Sequence, residues 1–517
     1  MSRAAAGHAP APLTGAALGV TALALALGTF MQVLDATIAN VSLPTIAGNL
    51  GASTDQATWV ITAFVVANGI GVPLTGWLMN RYGVVRTFVA SVLAFTAMSF
   101  LCGIAWNLES LVFFRALQGA VSGPMIPGSQ ALLLSIFPSS RRATALGIWS
   151  ITTLVAPVCG PIIGGYISDN WHWGWIFLIN VPVGLLVAFL CWNNLASRET
   201  PTARLPIDAV GLGLLIVWAG ALQIMLDTGK NADWFNSSWI VTLGVISVVG
   251  FCAFLLWEWT EEHPIVDLSL FRDANFTLGT IVLCLGNAVF FANMLLLPLW
   301  LQTQLGYTAT WAGLVTAPTG MVAVLLTPLV AQMMARFDAR LVASVSFAAS
   351  AVSYVMRAEL TAEADVWAFV LPLLVQGISS ATFFIALAMI VLDGIPPQRI
   401  PSATGLSNFV RILASGFAAS FVTTLWDQRE AFHQSRLSEA ATATAPAFNH
   451  ALSTLQGLGL GELQAKVAIS QKMVSQAYLL GALDIFHLSA LVSLVLVGAV
   501  WACRRPARHD AAPAPID

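Results

Sequence analysis

The chain has 517 residues, of which 57% are hydrophobic and 9% charged, with a mean hydropathy of +0.80. Soluble domains carry about 25% charged residues, so an ordinary water-soluble globule is excluded; 18 Trp and 28 Phe exclude a disordered chain. The net charge of −3 leaves no basic footprint for nucleic acid, and a lipid bilayer is the solvent that suits such a composition.

A helix needs about 20 apolar residues to cross the hydrocarbon core. In chain order, fourteen stretches meet that requirement: 16–40, 57–79, 85–105, 111–136, 144–167, 174–195, 209–226, 239–259, 275–302, 311–335, 340–356, 367–392, 403–426 and 482–503. An even count puts both termini on one side. Arg81, Arg86, Arg141, Arg142, Arg198, Arg272, Arg336, Arg399 and Arg504 share the side of the N-terminus, whereas the short loops opposite hold only Lys230 and Arg357. By the positive-inside rule the chain is N-in, C-in. Asp208, Glu258 and Asp393 fall at inner span ends, where a charge is cheap.

Two stretches repeat one another. Ala57, Thr58 and Trp59 open a span that ends at Pro73 and Leu74, followed by Met79 and Arg81; Ala309, Thr310 and Trp311 open one that ends at Pro328 and Leu329, followed by Met334 and Arg336. Parallel repeats of this kind build secondary transporters with a binding site where the halves meet. The expected layout is an all-α integral membrane protein. It has a cytoplasmic N-terminus (1–15), a six-helix bundle (16–195), a linker with two extra transmembrane helices (196–260), a second six-helix bundle (261–503) and a cytoplasmic tail (504–517). The second bundle includes a long outer loop, 427–481, whose sequence reads as helical and amphipathic. It is either a cap over the outer mouth or a docking surface for a partner.

Four motifs follow in order. Span 1 carries LDATIANVSLP, the inner loop after span 2 carries GWLMNRYGVVR from residue 76, span 4 carries FFRALQGAVSGPMIPGSQALL, and span 5 carries the start of APVCGPIIGGYISDNWHWGWIFLINVPVG. Together they resemble the signatures of the major facilitator superfamily, and the first resembles the version found in its fourteen-span drug:proton antiporter family. The stretches LQIMLDTGK, HPIVDLSLF, YTATWAGL and LSNFVRILA extend the likeness over nearly the whole chain. The resemblance implies the major facilitator fold, in the bacterial inner membrane, and export of hydrophobic or amphipathic drugs driven by protons, with no other cofactor. It also implies a periplasmic adaptor protein and an outer-membrane channel as partners. In the signature loop it implies gating roles for Gly76, Asn80, Arg81 and Gly83, with Asn80 standing where the family usually has an acid. In span 5 it implies that Gly160, Pro161, Gly164 and Gly165 let the helix bend and pack; small residues four apart, such as Gly160 and Gly164, permit close helix approach.

A charge in the bilayer costs at least roughly 2.5–3.5 kcal/mol on insertion scales, so it needs a partner or a purpose. Asp35 lies about 9 Å from the outer end of span 1 and Arg115 about 6 Å from the same end of span 4, at 1.5 Å per residue. The two can pair at similar depth. Either they couple transport to a proton, since an arginine lowers and desolvation raises a carboxyl pKa, or they are a static packing pair. Ser407, Arg411 and Ser415 share one face of span 13, with Asn408 beside them. Arg411 is deep enough to hold an anionic substrate head group, to pair with a helix terminus, or to bind carbonyls between helices. Gln32, Asn287 and Asn293 are the remaining polar groups that can line a substrate cavity.

Nothing supports an enzyme: the chain has no phosphate loop of the GxxxxGKS/T type and no metal-ligand spacing, and its His are scattered. The alternative within transport is an exporter dedicated to one endogenous amphiphile such as a fatty acid, siderophore or lipid.

Overall fold

The computed structural model describes residues 13–505, apart from 53, 58, 204–205, 263, 335, 362 and 443–444. Thr58 of the first repeat therefore lies outside the described residues, as do 1–12 and 506–517. Every regular element described is helical. In chain order they are α1 (Gly15–Leu50), α2 (Thr54–Ala57), α3 (Trp59–Gly71), α4 (Thr75–Tyr82), α5 (Val84–Gly103), α6 (Leu108–Ser122), α7 (Met125–Ile136), α8 (Arg142–Asn170), α9 (Trp175–Leu178) and α10 (Asn180–Leu195). They continue as α11 (Ala209–Thr228), α12 (Ser238–Thr260), α13 (Ala274–Thr303), α14 (Ala309–Met333), α15 (Ala339–Ala358), α16 (Val366–Val391), α17 (Ile400–Ala440), α18 (Pro446–Gly457) and α19 (Glu462–Ala499). Polar residues at the loop boundaries start many of them: the side chains of Asn107, Asp208, Asp273, Thr308, Asp338 and Asp365 each accept a backbone N–H of the first turn.

Twelve helices are long and apolar enough to cross a membrane, thirteen if α3 and α4 are one span bent by 56°. The stretch 111–136 is delivered as two shorter helices, α6 and α7, with the break at Gly123 and Pro124. Proline removes a backbone donor and crowds the preceding turn, yet Pro298, Pro318, Pro328 and Pro372 sit inside unbroken helices. What distinguishes the two breaks is that they touch. Gly71 and Gly123 face one another so closely that a Cβ on Gly71 would strike Ala120 O and one on Gly123 would strike the Gly71 backbone. The second copy of the repeat, α14, also meets a glycine, Gly377 of α16 lying against Thr319 and Val322, yet stays continuous through Pro328.

The first and last described segments share one face of the bundle, called the proximal end here: Leu13 N–H donates to Ile136 O at 3.0 Å, Ala203 N–H to Asn80 O at 2.8 Å and Arg504 N–H to Asn275 Oδ1 at 2.7 Å. There α4 and α7 meet α17. A Cβ on Gly76 would lie 2.7 Å from Ser402 Oγ and 3.1 Å from its Cα, and Gln130 Oε1 accepts from Asn408 at 3.1 Å. Helices α8 and α14 lie against each other, Gly147 on Thr327 and Gly313 near Ile162. The pair α11 and α12 leans on α3 and α17. Its distal end is tied to α17 by Ser420 Oγ donating to Leu226 O (2.8 Å), Trp234 Nε1 to Thr424 Oγ1 (3.1 Å) and an ion pair of Lys230 with Asp427 (2.9 Å).

The segment 427–481 is not a separate cap. It is the continuation of α17 and α19, joined by α18. With 41 residues, α17 is about 60 Å long, twice the hydrocarbon thickness. Where the pair emerges, Trp426 Nε1 donates to Tyr478 O at 2.8 Å and Asp484 binds both Arg429 (2.5 Å) and His433 (2.7 Å).

Candidate functional site

Five helices of the first 195 residues converge on Asp35. Arg115 and Gln118 are three apart on α6 and so share a face. Arg115 Nη1 donates to Asp35 Oδ2 at 2.5 Å and to Gln118 Oε1 at 2.8 Å, and its Nε donates to Val60 O at 3.2 Å. Asp35 Oδ1 accepts from Gln118 Nε2 at 3.1 Å and from Asn180 Nδ2, at the start of α10, at 2.8 Å. Asn180 also donates to Ser99 Oγ on α5 at 3.0 Å. The guanidinium lies 4.2 Å from the Phe64 ring centre and 5.3 Å from that of Phe177, which adds cation–π attraction. Asp35, Arg115, Gln118 and Ser99 are all 0% exposed, and Arg115 Nη2 alone of the guanidinium nitrogens has no partner.

Three donors, from Arg115, Gln118 and Asn180, thus meet the one carboxylate, and the pair is closed off from the surface of the bundle. The depth argument from sequence brings Asp35 and Arg115 together as found. Gln118, Ser99 and Asn180 escaped it. Gln118 carried a signal, its i+3 spacing from Arg115; Ser99 and Asn180 are joined to the site only by tertiary packing.

A second polar group lies where α7 and α8 meet α13, α16 and α17. Asn408 Oδ1 accepts from Arg411 at 2.8 Å, and the Phe384 ring centre is 5.8 Å from the guanidinium. With Gln130, Trp149 and Ser407 these residues line a cavity of about 20 Å³, room for a single water. Among the described residues Arg411 makes no ion pair. Asn287 donates to Ser415, one turn along α17, at 2.7 Å. Asn293 is elsewhere, donating to Ser489 of α19 at 2.8 Å between two helices of the C-terminal half. Gln32 is buried one turn before Asp35, with its Oε1 unpartnered. Arg357, assigned to a loop by sequence, is buried in the last turn of α15, with the Tyr354 ring centre 5.4 Å and that of Phe486 6.0 Å from its guanidinium.

The glycines make contacts. Gly76 faces Ser402 across the proximal interface. Gly83 adopts φ +94°, and its missing Cβ leaves space for the Glu199 carboxylate. That carboxylate accepts the N–H groups of Val85 (3.0 Å) and Arg86 (2.8 Å), while Thr200 Oγ1 accepts that of Val84 (3.2 Å), so the chain after α10 caps α5. An acid thus reaches this loop from position 199 rather than 80. Asn80 contributes its carbonyl, and Arg81 stacks near Trp77 and Tyr82 at 5.5 and 5.7 Å. On α8, Gly160 and Gly164 sit on Thr37 and Ile38 of α1, within one turn of Asp35. Gly165 is buried in the same helix, and the Pro161 side chain lies outside the described residues.

A match to the Major Facilitator Superfamily covers residues 25–419. The chain belongs to that superfamily. It is 48% identical to the multidrug export protein EmrB of Escherichia coli (strain K12) over 496 residues, 96% of this chain and 97% of that one. It is 47% identical to the fatty acid resistance protein FarB of Neisseria gonorrhoeae, over 96% of this chain and 98% of that one. The crystal structure of the human organic anion transporter MFSD10 (TETRAN) superposes with a TM-score of 0.56 at 12% identity, covering 93% and 98%, and so shares the fold. The protein is therefore an EmrB-like, multi-pass major facilitator transporter, from a family of transporters rather than enzymes.

Proposed function

We propose that this chain is a proton-coupled antiporter that exports hydrophobic or amphipathic drugs and toxic compounds from the bacterial inner membrane. In this reading the broken helices α3–α4 and α6–α7 each complete one span, giving fourteen, with both termini in the cytoplasm. Residues 16–195 and 261–503 are the two six-helix bundles and 196–260 the inserted pair. The observation that carries the coupling is the Asp35–Arg115 pair, a fully buried carboxylate held by three donors from two helices, α6 and α10. Parting those helices exposes the carboxylate, exchanges its proton and changes how the bundle packs. Gly76, Asn80, Arg81 and Gly83, with Gly160, Pro161, Gly164 and Gly165, serve the gating movement. Gln32, Asn287, Asn293, Asn408 and Arg411 are the polar handles offered to substrate. In this reading the proximal end faces the cytoplasm, and its contacts close the molecule on that side. The projecting end of α17 and α19 is the surface for an EmrA-like periplasmic adaptor, which an outer-membrane channel completes as a tripartite system.

A second reading is export of one endogenous amphiphile with an acidic head. It is favoured by Arg411, which faces the interface without a carboxylate, and by the name of the Neisseria relative. The test is transport in energised inside-out vesicles with natural chain and Asp35→Asn, recording substrate-linked proton release with lipophilic cations, neutral drugs and fatty acids. Response to several drug classes, lost in the equally expressed variant, supports the first reading. Response confined to fatty acids supports the second. Equal response from both chains removes Asp35 from coupling.

A further inference from the structure

Two acids expected at cheap, water-facing helix ends are instead buried together. Asp208, the N-cap of α11, is 8% exposed and Glu258, in the last turn of α12, is 3% exposed. Asp208 is well served: Gly211 N–H donates to Oδ1 at 2.8 Å, and the Trp257 indole donates at 3.0 Å to each oxygen. Glu258 is served on one side only. Its Oε2 accepts the Val266 N–H at 3.1 Å, while Oε1 is buried with no partner.

That oxygen and the other acid flank one small gap. A Cβ on Gly211 would collide with Asp208 Oδ2 and lie 2.7 Å from Glu258 Oε1, so glycine here keeps open the gap across which the two carboxyl groups face. Among the described residues, the titratable groups facing Glu258 are Asp208 and, three residues further along its own chain, Glu261; the segment packed beneath it offers the backbone of Ile265 and Val266. Among the described residues neither acid pairs with a Lys, Arg or His. Two anions so placed, one with an unsolvated oxygen, carry one of the largest penalties a buried site can have. One proton removes it. An O–H on Glu258 Oε1 gives that atom a role and uses Asp208 Oδ2 as acceptor, with every other hydrogen bond intact.

We infer that Asp208 and Glu258 hold a single proton between them, on Glu258 Oε1 and shared with Asp208 Oδ2, as a second protonatable site on the inserted helix pair. No set of three or more His, Cys, Asp or Glu gathers among the described residues. The site adjoins the segment that runs from Glu199, capping α5, through Ala203, bonded to Asn80 O, to Pro206, whose carbonyl accepts from Trp77 Nε1 at 3.0 Å. Loss of the proton sets two negative charges against each other where that segment enters α11. The inference stands on this geometry alone, apart from the transport reading.

Infrared spectroscopy of the purified full chain in lipid nanodiscs tests it, because a protonated carboxylic acid has a C=O stretch distinct from that of a carboxylate. At neutral pH such a band is expected, moving on labelling with glutamate ¹³C at the side-chain carboxyl, lost in Glu258→Gln and kept in Asp35→Asn. A labelled chain with no glutamate band at neutral pH overturns the inference without recourse to any variant. So does a band that survives Glu258→Gln, or one that appears only when sodium and potassium are replaced by choline, which would make the occupant a metal cation.

Discussion

Gly76 is where an added methyl group has the clearest consequence. In Gly76→Ala the new Cβ would stand 2.7 Å from Ser402 Oγ and 3.1 Å from Ser402 Cα, and the second of these is backbone that a rotamer change does not move. Overpacking of this kind costs about 1–3 kcal/mol. The cost falls only on the arrangement in which α4 touches α17, so it acts as a bias on conformation rather than on folding. A bias of that size changes a two-state population roughly 5- to 150-fold. The reporter is a cysteine at Ser407, 6% exposed beside the small cavity at the same interface. Its alkylation rate should rise by about that factor in the Gly76→Ala background, with the thermal midpoint of the protein little changed. Ser402→Gly in the same chain should bring the rate back toward its starting value. Gly405→Ala, whose Cβ would sit at 3.4 Å from Thr75, an ordinary contact, should leave it unchanged. An unaltered rate in Gly76→Ala, in protein that is folded, would refute the idea that this contact holds the proximal end shut.

Arg115→Leu strips Asp35 of its cationic partner and is expected to cost about 3–5 kcal/mol of stability, read as a lowered thermal midpoint; adding Asp35→Asn should restore much of it, and simple additivity of the two would refute the pairing. Burial pushes the Asp338 carboxyl up, but its hydrogen bonds with Arg340 and the charges of Arg340 and Arg505 outweigh that and hold it below its ordinary value of 3.8. Its stabilising effect is therefore present above that value and lost as pH falls through the lowered one: Asp338→Ala, which removes the cap of α15, should cost about 1 kcal/mol at neutral pH, with the gap to the natural chain closing in acid melts. Glu199→Ala should cost a similar amount and speed hydrogen exchange at Val85 and Arg86; unchanged protection there would show that the cap does not form in solution.

The membrane-spanning class, the approximate position of most helices and the Asp35–Arg115 pair were all legible in the chain. Each depends on local quantities: the length of an apolar run, the cost of an intramembrane charge, and the rise per residue that sets depth. Gln118 was within reach by spacing. What the sequence could not decide was contact between segments far apart in the chain. Pro73 and Pro328 occupy matching places in a repeat, yet only the first lies at a break, where Gly71 meets Gly123, backbone to backbone, on the neighbouring broken helix. The stretch 427–481 read as a separate helical segment, and only packing of α17 against α19 carries both helices outward as one pair. Arg357, Asp208 and Glu258 all sit near helix ends, where local reasoning expects water. Each is buried because another helix or chain segment covers that end, a matter of how the bundle closes and not of the residues beside it.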